Sequence, residues 1–267
     1  FVTIHSGTKL VDEWHLVPAD RPDDAPRCVV PRSLGVEVDL EHRHGRLYLH
    51  TNHGGATDFR LVTAPLDDPD PARWTELVPH RPGVRLEAVE VLAHHLVLEE
   101  RSGGGTQVRL CDPDTGEGEL LDLGEEASVV GFGSVAAFDA RTLRFGYSSL
   151  TTPGRVIDLD TATGERRVLK QQPVRGGYDR DRFISFRTWA TSHDGVEVPV
   201  SVVYRADVPL DGTAPCLVYA YGAYEHAIDP VFSSVRLNLL ERGVVFAIAH
   251  VRGGGEMGRT WWEQGRL

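Results

Sequence analysis

Cysteine is scarce in this sequence, and long apolar runs are absent. The three cysteines, Cys28, Cys111 and Cys216, are far apart and form no Cys-x-x-Cys pair. This spacing argues against disulfides and zinc sites and predicts reduced thiols in the cytoplasm. No apolar run approaches the length of about 18 residues that a membrane span requires, so no membrane association is predicted. The first residues also lack the basic region and apolar core of a signal peptide.

Several motifs for catalysis and ligand binding are missing as well. The sequence has no His-Glu-x-x-His pair, Walker A loop or EF-hand loop, so neither a metal nor a cofactor is expected. It has no Gly-x-Ser-x-Gly nucleophile elbow, because the nearest segment, residues 131–136 around Ser134, lacks the trailing glycine. The formal net charge of −11 argues against a nucleic-acid surface and suits solubility or a cationic substrate.

A repeat of about 48 residues runs along the first part of the chain. Residues 108–123 and 156–171 each resemble a strand, an acidic turn ending in Gly-Glu, and a second strand, with Asp112 and Asp160 equivalent. A small sheet of this kind cannot bury both faces alone, so neighbouring repeats are predicted to stack as propeller blades. A β-sandwich with coincidental similarity is the alternative. Residues 1–174 are predicted to form a partial β-propeller of about three and a half blades.

The hydrophobic pattern changes in residues 175–267, which are predicted to begin an α/β-hydrolase domain. Two alternating strands, 183–192 and 196–205, are joined by a His-Asp-Gly hairpin turn. An apolar strand at 216–222, a helix at 229–243 and a second apolar strand at 244–250 follow. Continuous apolar runs on both sides of a helix are typical of a buried parallel sheet.

The glycine-rich segment "AHVRGGGEMGRTWW" follows the second apolar strand. Its Gly253, Gly255 and Gly258 have dinucleotide-binding spacing, but a true fingerprint opens the first βαβ unit and here two strands and a helix precede it. Glu256 would also place a carboxylate where a pyrophosphate should lie. We therefore predict a structural role for the glycines, with Glu256 at the positive end of a following helix.

Several segments carry a family resemblance. Residues 219–265, which include "YAYGAYEHAIDP" and "VRGGGEMG", resemble the opening of the catalytic domain of the prolyl oligopeptidase family of serine peptidases, most closely its oligopeptidase B (protease II) branch. Residues 187–205 are similar to the strand pair of that domain, and residues 59–69, 145–153 and 170–179 to its propeller. The resemblance implies an enzyme that cleaves short peptides after basic residues, with a propeller that restricts access.

The resemblance also implies roles for three residues. Tyr221 would stabilise the tetrahedral oxyanion, Tyr224 would form an aromatic wall for the substrate residue before the scissile bond, and Asp229 would help to hold basic side chains. The chain departs from the branch at Val231, a position that is often acidic, and at Glu225-His226, where small residues are usual. Glu225 is predicted to supply a compensating charge for substrate binding.

The residues alone allow other interpretations. Without the resemblance, Tyr221 would be a buried aromatic at a strand end, Asp229 a helix N-cap before Pro230, and His250 a polar residue at a strand end. The class of protein also has alternatives: a propeller module that binds peptides without cleaving them, or a dipeptidyl or acylaminoacyl peptidase of the same family.

The resemblance places the catalytic serine, aspartate and histidine after Leu267, and the missing propeller blades before Phe1. Since three and a half blades cannot close a ring and the chain starts within a strand, we expect a fragment truncated at both ends. The isolated chain is predicted to be inactive, because its nucleophile is absent. It is also expected to be poorly soluble, since the strand ending near His250 would have an unpaired edge.

Overall fold

The computed structural model describes residues 1–133, 135 and 137–266. Ser134 and Ala136, which belong to the segment closest to a nucleophile elbow, lie outside the described residues, as does Leu267. The chain divides into two compact units. The first comprises Phe1–Pro82, Leu86–Leu98 and Leu110–Glu119, and the second comprises Gly83–Arg85, Glu99–Arg109 and Leu120–Leu267.

Short strands dominate the chain up to residue 171. Their bounds are β1 Val2–Gly7, β2 Asp12–Val17, β3 Arg27–Val30, β4 Val38–Arg43, β5 Arg46–Thr51, β6 Arg60–Pro65, β7 Thr75–Val78, β8 Val84–Val91, β9 Leu96–Ser102, β10 Gly105–Cys111, β11 Gly118–Leu120, β12 Ser128–Phe132, β13 Thr142–Ser149, β14 Arg155–Asp160 and β15 Arg166–Gln171. Short 3-10 turns lie at Arg32–Leu34, His53–Gly55, Pro71–Arg73 and Arg180–Arg182.

These strands form one three-stranded and three four-stranded sheets, in which each strand pairs with the next along the chain. The strand orders are β1-β2-β3, β4-β5-β6-β7, β11-β10-β9-β8 and β12-β13-β14-β15. Four strands per sheet is the arrangement predicted for propeller blades, and this prediction is confirmed for the three sheets of β4–β15. The sheet β8–β11 contributes residues to both compact units. The predicted domain boundary after residue 174 stays a prediction.

The repeated acidic turns adopt the same hydrogen-bonded structure. The Asp112 carboxylate accepts from the backbone N–H groups of Asp114 and Thr115, at 2.8 and 3.0 Å. The Asp160 carboxylate likewise accepts from Ala162 and Thr163, both at 2.9 Å. A glycine with positive φ closes each turn and donates to the carbonyl of its aspartate at 2.9 Å. An Asx side chain that mimics a backbone turn therefore explains why both copies begin with aspartate and continue to Thr-Gly-Glu.

The last part of the chain forms a mixed sheet and two short helices. Its elements are β16 Phe183–Thr191, β17 Glu197–Arg205, β18 Cys216–Tyr219, α1 Ser234–Leu240, β19 Val245–Ala249 and α2 Arg259–Gln264. The sheet order is β16-β17-β19-β18, in which β18 and β19 are parallel and the other pairs antiparallel. The predicted hairpin is confirmed: β16 pairs with β17, and Gly195 in its turn has a φ of 83°.

Three expectations about this sheet were wrong. The helix begins at Ser234, five residues later than predicted, because the Ser233 hydroxyl accepts from the N–H of Arg236 and caps it. The strand β18 was expected to be buried, but residues 217–219 are exposed, and within the described residues β18 pairs with β19 alone. The strand β19, expected at an unpaired edge, lies between β17 and β18.

An apolar core beneath this sheet supports the loops that follow β18 and β19. It belongs to the second unit and combines residues of β16, β17 and β19 with residues of helix α1 and of the preceding segments: Ala127, Leu150, Phe183, Val203, Leu240, Phe246 and Ile248. All are buried. Removal of this much apolar surface from water is the main favourable contribution to folding of this part of the chain.

Candidate functional site

Two loops of the second unit carry the residues of interest and pack against each other. The tyrosine loop, residues 220–233, joins β18 to α1, and the glycine loop, residues 250–258, joins β19 to α2. The backbone N–H of Glu225 donates to the carbonyl of Gly253 at 3.0 Å. Because β18 and β19 are parallel neighbours, both loops leave the sheet at the same edge.

The glycines allow the two backbones to approach each other closely. Gly253 has a φ of 93°, and an added Cβ would lie 2.0 Å from the carbonyl oxygen of Gly222. Gly222 itself has a φ of 69°, and its added Cβ would lie 2.7 Å from the carbonyl oxygen of Arg252. A side chain at Gly255 would meet the carbonyl oxygen of Glu225 at 2.7 Å. The predicted structural role is thus confirmed for Gly253 and Gly255.

Tyr221 lies two residues beyond the end of β18 and is 49% exposed. The interpretation of this residue as a buried strand-end aromatic was therefore wrong. Its ring contacts the imidazole of His226 edge to face, with 5.8 Å between the ring centroids. A phenol held at one side of the loop and open to solvent is available to donate a hydrogen bond to a bound molecule. Its role in oxyanion stabilisation stays a prediction.

Tyr224 and Glu225 adopt left-handed backbone conformations, with φ of 57° and 63°. Two consecutive residues other than glycine in this region are uncommon, and such strain is often found at functional sites. The strained backbone turns the Tyr224 ring outward, where it is 79% exposed. An exposed aromatic ring of this kind can pack against a bound side chain. The predicted aromatic wall is untested.

The Glu225 side chain points the other way, between two arginines. Nη1 of Arg259, on α2, donates to Oε1 and Oε2 of Glu225 at 2.9 and 3.1 Å. Arg85, on β8, donates to Oε1 as well. The guanidinium of Arg259 also lies over the Trp262 ring, 4.6 Å from its centroid. Glu225 is predicted to supply a charge for substrate binding. In order to bind a substrate cation, it would have to exchange these partners.

Asp229 is held by an arginine of β9. Nη1 of Arg101 donates to Oδ1 of Asp229 at 2.6 Å, and the side chains are 6% and 28% exposed. The alternative that Asp229 caps the helix was wrong, because Ser233 occupies the cap. The carboxylate therefore has an ion-pair partner and a solvent-facing side, and no helix terminus requires it.

Glu256 is a buried link between three segments. Its Oε1 accepts from the backbone N–H of Ile228 at 2.9 Å, inside the tyrosine loop, and its carbonyl accepts from Gly104 at 3.1 Å. We expected Glu256 to interact with the N-terminus of the following helix. Instead, helix α2 begins after Gly258 with no side-chain cap. The carboxylate thus fixes the segment next to Asp229.

His250 is buried beneath the glycine loop. Its Nε2 is 2.8 Å from the hydroxyl of Ser201 on β17, and its Nδ1 is 3.8 Å from Oε1 of Glu256. Its carbonyl accepts from the indole N–H of Trp261 at 3.0 Å. The description of His250 as a polar residue at a strand end is confirmed, since β19 ends at Ala249.

Sequence analysis missed the ion-pair partners Arg85, Arg101 and Arg259 and the hydroxyl of Ser201. Arg85 and Arg101 are far from the tyrosine loop in sequence, since 140 positions separate Arg85 from Glu225 and 128 separate Arg101 from Asp229. No spacing rule connects positions so far apart. Only Arg259, close to the glycine loop, was within reach of a local argument.

An exposed ion pair involves Arg252, near the start of the glycine loop. Arg252 donates to the carboxylate of Asp194, which lies in the turn between β16 and β17. The Arg252 guanidinium lowers the pKa of Asp194 to about 2, because it favours the ionised carboxylate. The pair connects the hairpin to the glycine loop.

Neither a metal site nor a membrane span is found in the part of the chain that the structure describes. Within those residues, no group of three or more histidine, cysteine, aspartate or glutamate side chains is arranged to hold a metal ion. No helix in the same ranges has the length and apolar character to cross a bilayer.

Sheets of four consecutive strands, repeated along the chain, define its first part as a β-propeller domain. The family model described as the prolyl oligopeptidase N-terminal β-propeller domain matches residues 1–172. The chain belongs to the prolyl oligopeptidase family, as the resemblance predicted.

Named relatives and solved structures cover almost the whole chain. Dipeptidyl aminopeptidase BI of Pseudoxanthomonas mexicana is 40% identical over 100% of the chain and 37% of its own length. Protease 2 of Moraxella lacunata is 34% identical over 100% of the chain and 38% of its own length. The structure of oligopeptidase B from Trypanosoma brucei, with covalently bound antipain, aligns with a TM-score of 0.89 at 34% identity, covering 99% of this chain and 39% of that one. The chain therefore spans less than two fifths of the length of these relatives.

Proposed function

We propose that this chain is part of a serine oligopeptidase that hydrolyses short peptides after basic residues. In this proposal the mixed sheet opens an α/β-hydrolase domain, and the serine, aspartate and histidine of the triad lie outside the 267 residues. The enzyme would act in the cytoplasm without a cofactor. Support comes from membership of the family and from the names of the relatives, which include a protease and an aminopeptidase.

The proposed reaction proceeds through an acyl-enzyme. The serine oxygen attacks the peptide carbonyl, the C–N bond breaks, and the histidine passes the serine proton to the leaving amine. Water then hydrolyses the ester and returns the proton to the serine. Negative charge develops on the carbonyl oxygen in both steps, and Tyr221 would donate its phenolic hydrogen to that oxygen.

One observation supports this role more than any other: Tyr221 is exposed on a loop that is hydrogen-bonded to the neighbouring glycine loop. The tyrosine loop is attached to the glycine loop at Glu225 and at Ile228, through hydrogen bonds of 3.0 and 2.9 Å. An oxyanion donor must be positioned before charge develops, so that no free energy is lost in reorganisation. An exposed hydroxyl on a firmly held loop meets this requirement.

The test compares Tyr221→Phe with Tyr219→Phe in the longer protein that contains the chain. Both tyrosines are about half exposed, but Tyr219 lies within β18. With an Arg-Arg fluorogenic peptide, we expect Tyr221→Phe to lower kcat by about 100-fold with little change in KM, the typical cost of one oxyanion donor. Tyr219→Phe should retain activity. Equal kcat values for the two variants would refute the assigned role.

The 267-residue chain, assayed alone with the same peptide, should show no turnover. Turnover would contradict the placement of the nucleophile outside the chain. If the longer protein bound the peptide but did not cleave it, the function would instead be that of a peptide-binding module.

A second candidate is removal of dipeptides from a free N-terminus, which is favoured by the 40% identity to dipeptidyl aminopeptidase BI. Matched peptides with free and acetylated N-termini distinguish the two activities. Cleavage restricted to the free form would favour the aminopeptidase, whereas cleavage of both favours the oligopeptidase.

A further inference from the structure

The acidic side chains of the tyrosine loop are already neutralised by arginines of the same unit. Arg101 donates to Asp229 at 2.6 Å, and Arg259 donates to both oxygens of Glu225. Arg85 also contacts Glu225. Asp229 and Glu225, which are predicted to attract a basic substrate, are therefore already paired with arginine side chains of the protein.

The pair between Arg101 and Asp229 is asymmetric. Arg101 is 6% exposed, whereas Asp229 is 28% exposed, so the carboxylate faces solvent and the guanidinium lies behind it. A ligand can reach Asp229 without unfolding the site. A basic ligand would meet a carboxylate that is already hydrogen-bonded to the Arg101 cation. The positive charge of Arg101 reduces the attraction of Asp229 for this second cation.

Local structure does not explain why this carboxylate is present. Ser233 caps helix α1, and the backbone interaction of Asp229 within its loop uses its carbonyl, which accepts from the N–H of Val231 at 2.8 Å. Val231 is an exposed apolar residue, so the neighbouring position adds no second negative charge. Arg187 acts electrostatically on both Asp229 and Arg101, but Arg101 is the cation that is hydrogen-bonded to the carboxylate. The charge offered to a ligand here thus depends strongly on how Arg101 engages Asp229.

We propose that Arg101 is a specificity-determining residue that competes with basic substrate side chains for Asp229 and weakens the preference for them. The proposal rests on the peptidase function proposed above. It predicts an enzyme that accepts substrates with uncharged residues as well as substrates with basic ones. Removal of the positive charge of Arg101 should make the enzyme more selective for basic substrates.

The experiment measures kcat/KM in the longer protein for peptides that carry arginine or citrulline at each of the two positions before the scissile bond. Citrulline has the shape of arginine without its charge, so the ratio of the two values isolates electrostatic recognition. Arg101→Met should raise the arginine-to-citrulline ratio by about tenfold at one position, which corresponds to about 1.4 kcal/mol. Arg144→Met is the control, because Arg144 also donates to a carboxylate, that of Asp158, but on the sheet β12–β15 and with the arginine as the exposed partner.

The partner variant makes the test specific. Asp229→Asn alone should also lower the ratio, because it leaves the Arg101 cation at the site without this carboxylate. In the Arg101→Met background the same change should lower it by about tenfold. The double variant removes both charges of the pair, so neither is left without its partner. Arg101→Gln provides a polar replacement if the methionine variant does not fold.

The outcomes separate the two proposals. If Arg101→Met or Arg101→Gln leaves the ratio unchanged or lowers it, the competition is refuted. The same holds if Asp229→Asn leaves the ratio unchanged in the Arg101→Met background. If the unmodified longer protein cleaves no peptide, the proposed function fails instead.

Discussion

Replacement of Glu125 by glutamine should destabilise the second unit by about 2–3 kcal/mol. The Glu125 carboxylate accepts from the hydroxyls of Tyr147 at 3.0 Å and Ser149 at 2.7 Å, and from those of Thr151 and Thr152. Burial by itself raises the pKa of Glu125, but these hydrogen bonds outweigh it and lower the pKa to about 2. The ionised form is therefore preferred strongly in the folded state.

The magnitude follows from that shift. The reference pKa of 4.5 and the folded value of about 2 correspond to about 3 kcal/mol at about 1.4 kcal/mol per unit. The side chain is 14% exposed, so solvent screening reduces the value only modestly. Glutamine keeps one acceptor oxygen, but its amide donates towards hydroxyls that now have to rotate. We therefore expect most of the stabilisation to be lost.

The assay is urea unfolding at pH 7 and at pH 2.5, with Glu126→Gln as the matched control. Glu126 is the exposed neighbour of Glu125, and its replacement should change the free energy of unfolding by less than about 0.5 kcal/mol. Since the folded pKa is depressed, the stabilisation by Glu125 is complete above pH 4.5 and is lost as the pH falls towards 2. An equal loss of unfolding free energy in Glu125→Gln at both pH values, or a loss at pH 7 no larger than that of Glu126→Gln, would contradict stabilisation by the ionised carboxylate.

Two further predictions concern the glycine loop. Gly253→Ala should lower the free energy of unfolding by about 3 kcal/mol or more, because its Cβ would lie 2.0 Å from a carbonyl oxygen. The control is Gly195→Ala, which has a similar φ of 83° but open space around it and should lower that free energy by only about 1 kcal/mol. Equal losses in thermal unfolding would contradict the close packing of the two loops. The Asp194 carboxyl should titrate near pH 2 by NMR, and in Arg252→Met its midpoint should rise towards 3.8, the ordinary value. An unchanged midpoint would show that the ion pair does not cause the shift.

The repeat of Asp112 and Asp160 and the hairpin around Gly195 were predictable because their hydrogen bonds join residues a few positions apart. The side-chain oxygen of aspartate and the positive φ of glycine encode such turns directly. The family resemblance likewise rests on contiguous motifs. Family membership and the division into short, repeated sheets could thus be inferred before any tertiary contact was known.

The tertiary structure decided which strand lies at the edge, where the helix starts and which charges meet. The exposure of β18 depends on its neighbours, and the late start of α1 depends on Ser233 outcompeting Asp229 as a cap. The pairing of Asp229 with Arg101 joins positions 128 residues apart. The sequence by itself determined the local turns and the repeated strands, because each is encoded by neighbouring residues. The electrostatic environment of the candidate site arises only when distant segments pack together, since ion pairs depend on distance in space.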